Sequence, residues 1–163
     1  MTVDKVEFAT GAVTTVFTKP LNMAAGAGVI TWFSVALPDP TRYMLQGTIS
    51  SAGEAADHPA AAETSPVSAN TMLLAPPFAL KLPVASVVTV SVDDVDGTVT
   101  LRSDATALYV TLTTRSAGRF GENAFMLLPN TPKKVPFLPW GQFDLSVFRQ
   151  TLRVEHLQEH CFP

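Results

Sequence analysis

Along this chain, apolar side chains recur at every second position in short runs, and turn-forming residues stand between the runs. The clearest run is Val84 to Val92. There Val84, Val88, Val90 and Val92 share one face while Thr89 and Ser91 occupy the other. Period-two alternation of this kind predicts a strand with one buried face. Asp93-Asp94-Val95-Asp96-Gly97 follows, and its Asp-Gly pair suits the positive φ angles of a hairpin turn. The expected partner strand has Val99 and Leu101 inward and Thr98, Thr100 and Arg102 outward. The pattern predicts further strands at 107–113 (Leu108, Val110 and Leu112 inward), 124–128, 133–138 and 151–157. In the first half, strands are expected at 3–8, 12–18, 28–35, 43–49 and 71–75.

Helical periodicity is weak throughout, and the best helical turn is the stretch from Phe143 to Phe148. Thirteen prolines and nine glycines punctuate the runs, a pattern of many short strands. Strands spaced this way in both halves predict an all-β fold of two small antiparallel sandwiches in series. The joint is expected at Pro76 to Pro83, where Pro76, Pro77 and Pro83 favour a stiff, extended linker. This gives domains at 1–80 and 81–163. A weak internal echo (Asn70 to Pro76 against Asn123 to Pro129) agrees with two similar units. Residues 50–70, mostly Ala, Ser, Pro and acidic side chains, read as a long loop inserted in the first unit.

Composition narrows the functions. Of 163 residues, 47% are hydrophobic and 15% charged, which favours a packed core over disorder. The formal charge of −3 with no basic run argues against nucleic acid as a partner. Prolines break the longest apolar stretch, Met72 to Leu80, so no membrane span is expected. MTVDKVEF has neither a basic n-region nor an apolar h-region, so a parent bound for a secretory compartment would carry its signal upstream. The single cysteine, Cys161, allows no intrachain disulfide.

Candidate chemistry is sparse. Glycoside hydrolysis needs two carboxylates about 5–10 Å apart across the scissile bond, yet the Asp and Glu residues here fall in turns or on outward strand faces. Asp93, Asp94 and Asp96 lack calcium-loop spacing and read as a solvated turn. His156, His160 and Cys161 have zinc-ligand chemistry, but on a strand the two histidines would stand about 13 Å apart. Gly26-Ala27-Gly28 lacks the third glycine of a dinucleotide loop. No catalytic, metal or cofactor-binding residue is therefore assigned. Trp32 lies in an apolar run and is expected in core or interface packing. Trp140, between Pro139 and Gly141, is the candidate for contact with another domain.

The most distinctive segment is Gly118-Arg119-Phe120-Gly121-Glu122-Asn123-Ala124-Phe125. It reads as a tight corner. Gly118 and Gly121 allow unusual φ, Asn123 suits an Asx-turn, Phe120 and Phe125 anchor both sides, and Arg119 is left for a carboxylate or for backbone carbonyls.

With the flanking Leu108 to Leu112, Pro129 to Pro132, Val135 to Phe137 and Pro139-Trp140, this corner resembles the last immunoglobulin-like domain of family 2 β-mannosidases. Those domains carry Gly-Arg-Phe-Ser-Asp-Asn where this chain has Gly121-Glu122 in place of Ser-Asp. Pro20 to Trp32 and Leu73 to Leu82 are similar to the preceding immunoglobulin-like domain, while residues 50–70 have no counterpart. The resemblance implies two immunoglobulin-like sandwiches in tandem, forming the non-catalytic C-terminal region of an enzyme that removes terminal β-mannose with retention. Both catalytic glutamates of such an enzyme lie in an upstream barrel, which would be this region's partner. It implies a lysosomal or secretory parent; from the residues themselves no cofactor is expected, and weak mannose binding at most, since no aromatic cluster lines a groove. The alternatives are a carbohydrate-binding module using Trp140 or the 50–70 loop, and an adhesion module.

Overall fold

The computed structural model describes residues 1–21, 28, 33–50 and 66–161. The chain divides into two compact units: Met1–Glu7 with Ala12–Leu80, and Phe8–Gly11 with Lys81–Pro163. Phe8–Gly11, expected with the first half, thus groups with the second.

In the first unit, β1 (Thr2–Glu7), β2 (Val13–Thr18), β3 (Tyr43–Ser50) and β4 (Pro66–Leu73) form one antiparallel sheet in the order β2-β1-β3-β4. Val3, Val6 and Met44 are buried. A bulge on β2 opposite Val3 and Asp4 leaves Val16 unpaired. An ion pair and a cation–ring contact tie partly exposed side chains: Arg42 Nη2 lies 2.9 Å from Glu7 Oε1, and Lys5 Nζ sits 4.9 Å from the Tyr43 ring centre. Two expectations change here. The 50–70 loop is shorter than its composition suggests, because β4 starts at Pro66 and pairs with β3 along its whole length. Backbone pairing overrides the low strand propensity of Pro, Ser, Ala and Asn. In the 28–35 run, the described residues 28 and 33–35 are not strand, and Trp32 lies outside the described residues. The extended linker is also interrupted, since Pro77–Ala79 forms a short helical turn with Leu80 N–H donating to Pro77 O.

The second unit is a sandwich. One layer is β5 (Val87–Val92), β6 (Val99–Ser103) and β10 (Lys133–Val135), ordered β10-β6-β5. The other is β7 (Ala107–Thr113) flanked by β9 (Phe125–Leu127) and β12 (Arg153–Glu155). A ribbon pairs β8 (Gly118–Phe120) with β11 (Phe137–Pro139). The helices α1 (Leu145–Thr151) and α2 (Leu157–Cys161) flank β12. No helix among the described residues is long and apolar enough to cross a membrane.

Alternation puts Val99, Leu101, Val110, Leu112, Phe125, Leu127, Val135 and Phe137 in one core with Phe148 of α1. Phe120, Phe137, Phe143 and Phe148 form a tilted aromatic cluster, with the Phe137 and Phe148 ring centres 4.7 Å apart. α1 starts where Asp144 Oδ1 accepts the Val147 N–H at 3.0 Å. The run 133–138 is two strands, since Pro136 has no N–H for a ladder. The run 151–157 is strand only at Arg153–Glu155.

The face expected for β5 is corrected. Val84 and Val90 are exposed and Val87 packs on the core in their place, while Val92 packs inward as expected. Thr89 pairs with Leu101 and Ser91 with Thr100, so Val90 is a bulge that shifts the alternation by one. The following turn differs as well: Gly97 has φ +72°, while Asp96 keeps a negative φ. A Cβ on Gly97 would come within 2.7 Å of the Phe143 ring.

The turn consumes its carboxylates. Asp93 Oδ1 accepts from the Val95 and Asp96 N–H groups, and Asp96 Oδ1 accepts from the Thr98 N–H at 2.8 Å. The bond from Thr98 holds the Asp96 carboxyl below its ordinary value of 3.8. A depressed folded-state value stabilises the fold above the unfolded-state value, and that contribution is lost as pH falls through the folded one. Carboxyl ¹³C NMR should therefore show Asp96 titrating below 3.8, with the Thr98 amide shift following the same transition; a midpoint at or above that value would contradict the turn geometry.

Candidate functional site

The corner at 118–125 is built against β7. Gly118 opposes Pro139 in the β8–β11 ribbon, and a Cβ there would meet Leu138 O at 2.7 Å and Phe137 Cε1 at 2.9 Å, so only glycine allows this approach. Phe125 is buried, with the Lys133 Nζ 4.8 Å from its ring centre. Phe120 is half-buried against Phe137 and Phe148. Glu122 pairs with Lys133 at 2.8 Å. Arg119 is exposed, and its guanidinium has no partner among the described residues.

Asn123 does not close an Asx-turn. The Leu112 N–H donates to Asn123 Oδ1 at 2.7 Å, and Asn123 Nδ2 donates to Leu112 O at 2.9 Å. The reason lies in the ladder. Phe125 opposes Val110, so an uninterrupted β9 would place residue 123 opposite Leu112. Ala124, at φ +56°, ends the strand first, and the Asn123 carboxamide supplies both missing bonds.

A second carboxamide does the same further along β7. Gln158 is buried; its Oε1 accepts the Leu108 N–H at 3.1 Å and its Nε2 donates to Thr106 O at 2.7 Å. Nothing in the local sequence singles out Gln158, because its partners lie 50 and 52 positions away. His156, within the run 151–157 expected as strand, is buried, with Nδ1 3.3 Å from Gln158 Oε1 and Nε2 3.2 Å from Glu159 Oε1. Among the described residues no cluster of His, Cys, Asp or Glu could hold a metal ion.

Trp140 is 69% exposed and Leu138 42% exposed. Thr113, Thr114, Arg115, Gln150, Thr151 and Arg153 line a polar cleft of about 500 Å³. A smaller cleft of about 290 Å³, which includes Arg119, adjoins it through Thr113 and Thr114. Sequence reasoning missed Arg115 and Arg153, because only the fold brings residues 38 positions apart to one cleft.

Residues 80–160 match the Ig_mannosidase family model, an Ig-fold domain. This segment belongs to the mannosidase-type Ig-fold family. The mannosidase-type domain thus contains the corner, the Phe cluster and both carboxamide contacts to β7. Beyond it, the chain is similar to the crystal structure of β-D-mannosidase from Dictyoglomus thermophilum, with a TM-score of 0.63 and 18% identity over 95% of this chain. That likeness, at this identity, shows the fold. The chain covers 18% of that enzyme's chain. No curated protein matches it.

Replacing Asn123 by Ala strands the Leu112 N–H and C=O inside the mannosidase-type domain. Each unsatisfied buried group costs about 1–3 kcal/mol. Urea unfolding should show a loss in that range or above for Asn123→Ala. Glu122→Gln, which breaks only an exposed pair, should stay within about 1 kcal/mol. Equal, small effects for both variants would contradict the stapling role of Asn123.

Proposed function

We propose that the chain is a non-catalytic accessory region of a β-mannosidase, formed by two immunoglobulin-like units that pack against and stabilise an upstream catalytic barrel of the same polypeptide. The observation that carries this reading is the mannosidase-type domain at residues 80–160, together with a likeness over 95% of this chain to an 18% portion of a β-D-mannosidase.

The chemistry of the described carboxylates supports it. Asp39, Asp93, Asp96, Asp104 and Asp144 accept backbone N–H groups, and Glu7, Asp94 and Glu122 hold ion pairs with Arg42, Arg149 and Lys133. Side chains so engaged are poor candidates for the acid and nucleophile of a retaining glycosidase, which must face each other about 5–5.5 Å apart. Trp140, exposed beside Leu138, supplies the aromatic anchor that a domain contact favours. The competing reading, a sugar-binding platform on Trp140, rests on the same exposure.

The purified chain should not hydrolyse an aryl β-mannoside, and its tryptophan fluorescence should not change on titration with mannose. In the parent, Trp140→Ala should lower thermal stability while leaving KM unchanged. Hydrolysis by the chain that disappears on mutating one carboxylate would overturn the accessory reading. Saturable quenching by mannose would favour the sugar-binding one.

A further inference from the structure

The arginines of this chain fall into two groups. Arg42, Arg102 and Arg149 have side-chain partners in Glu7, Asn130 and Asp94. The guanidinium groups of Arg115, Arg119 and Arg153 have none among the described residues. These three line the two adjoining clefts that share Thr113 and Thr114, and no carboxylate lines either cleft. In a chain of net charge −3, such a grouping of unpaired cations stands out from the rest of the surface.

The larger cleft has a fixed frame. Arg153 opposes Thr113 in the β12–β7 ladder, so their side chains share a face with Cβ atoms about 4.5–5.5 Å apart. Thr151 Oγ1 accepts the Arg115 N–H at 3.0 Å, lies 3.0 Å from Thr114 Oγ1 and donates to Val147 O at 2.7 Å. The Ser116 N–H donates to Thr114 Oγ1 at 3.2 Å. Hydroxyls therefore hold the backbone from which Arg115 projects, while the β-ladder holds Arg153. Guanidinium groups present planar forks of donors that match phosphate and sulfate oxygens.

We propose that this cleft binds a doubly charged tetrahedral oxyanion, with Arg115 and Arg153 as its principal ligands and Arg119 adding charge from the adjoining cleft. The proposal is independent of the accessory role.

The test is ¹⁵N NMR of the whole 163-residue chain, titrated separately with sodium phosphate and sodium sulfate, with chloride holding ionic strength constant. Saturable shifts are expected at the amides of Thr113 to Arg115 and Gln150 to Arg153 and at the Nε–H groups of Arg115 and Arg153. The midpoint should fall at or below about 10 mM for at least one anion, and the stronger of the two identifies phosphate or sulfate as the group recognised. Arg115→Gln and Arg153→Gln, both at exposed positions, should each weaken binding about tenfold or more, as loss of a charge-assisted hydrogen bond requires. Lys134→Gln, outside both clefts, should leave it unchanged. Shifts that rise linearly and equally with chloride, or full affinity retained in the Arg115→Gln/Arg153→Gln double variant, would overturn the proposal.

Discussion

Every backbone N–H and C=O of a central strand needs a partner, and in the second unit β7 meets that requirement with short neighbours. β9 and β12 each supply only three residues to a strand of seven. Gln158 completes the ladder near the start of β7 and Asn123 near its end, each contacting one backbone N–H and one backbone C=O. Buried amide groups without partners are costly, so these two side chains determine which loops can flank β7. The corner at 118–125 is therefore arranged to deliver Asn123, and α2 to deliver Gln158. Tyr109, at φ +52° in the bulge between Ala107 and Val110, shows that β7 itself bends to meet these partners.

The same architecture organises the rest of the mannosidase-type domain. Phe120, Phe137, Phe143 and Phe148 bring the β8–β11 ribbon, the approach to α1 and α1 itself onto one aromatic cluster. Gly97 and Gly118 permit the closest approaches to that cluster. Acidic residues at the turns and caps are taken up by backbone N–H groups, which fixes loops and leaves few carboxylates available for acid–base chemistry. Among the described residues, three arginines without side-chain partners lie around Thr113 and Thr114.

Period two was enough to find most of the strands of the second unit, because burial of one face depends only on alternation. It placed β6 and β7 with the right inward residues, Val99, Leu101, Leu108, Val110 and Leu112. It failed for β5 up to Val90, where one bulge exchanges the faces and leaves no local signature. It also mistook the start of β4 for loop, because Pro66 to Asn70 pair through their backbone while their side chains favour turns. The corner was legible through its glycines and phenylalanines, as was the importance of Asn123. The partner of Asn123 was not, since Leu112 is eleven positions away and only the fold brings the two together. Gln158, Arg115 and Arg153 were invisible for the same reason.

The central claim is that side-chain amides complete the backbone ladder of β7. Native-state hydrogen exchange at the Leu108 and Leu112 amides measures this directly. The account predicts that both exchange only through opening events as costly as those that expose the core amides of Val99 and Leu101. Exchange at Leu108 and Leu112 as fast as at the exposed turn amide of Asp94 would contradict it.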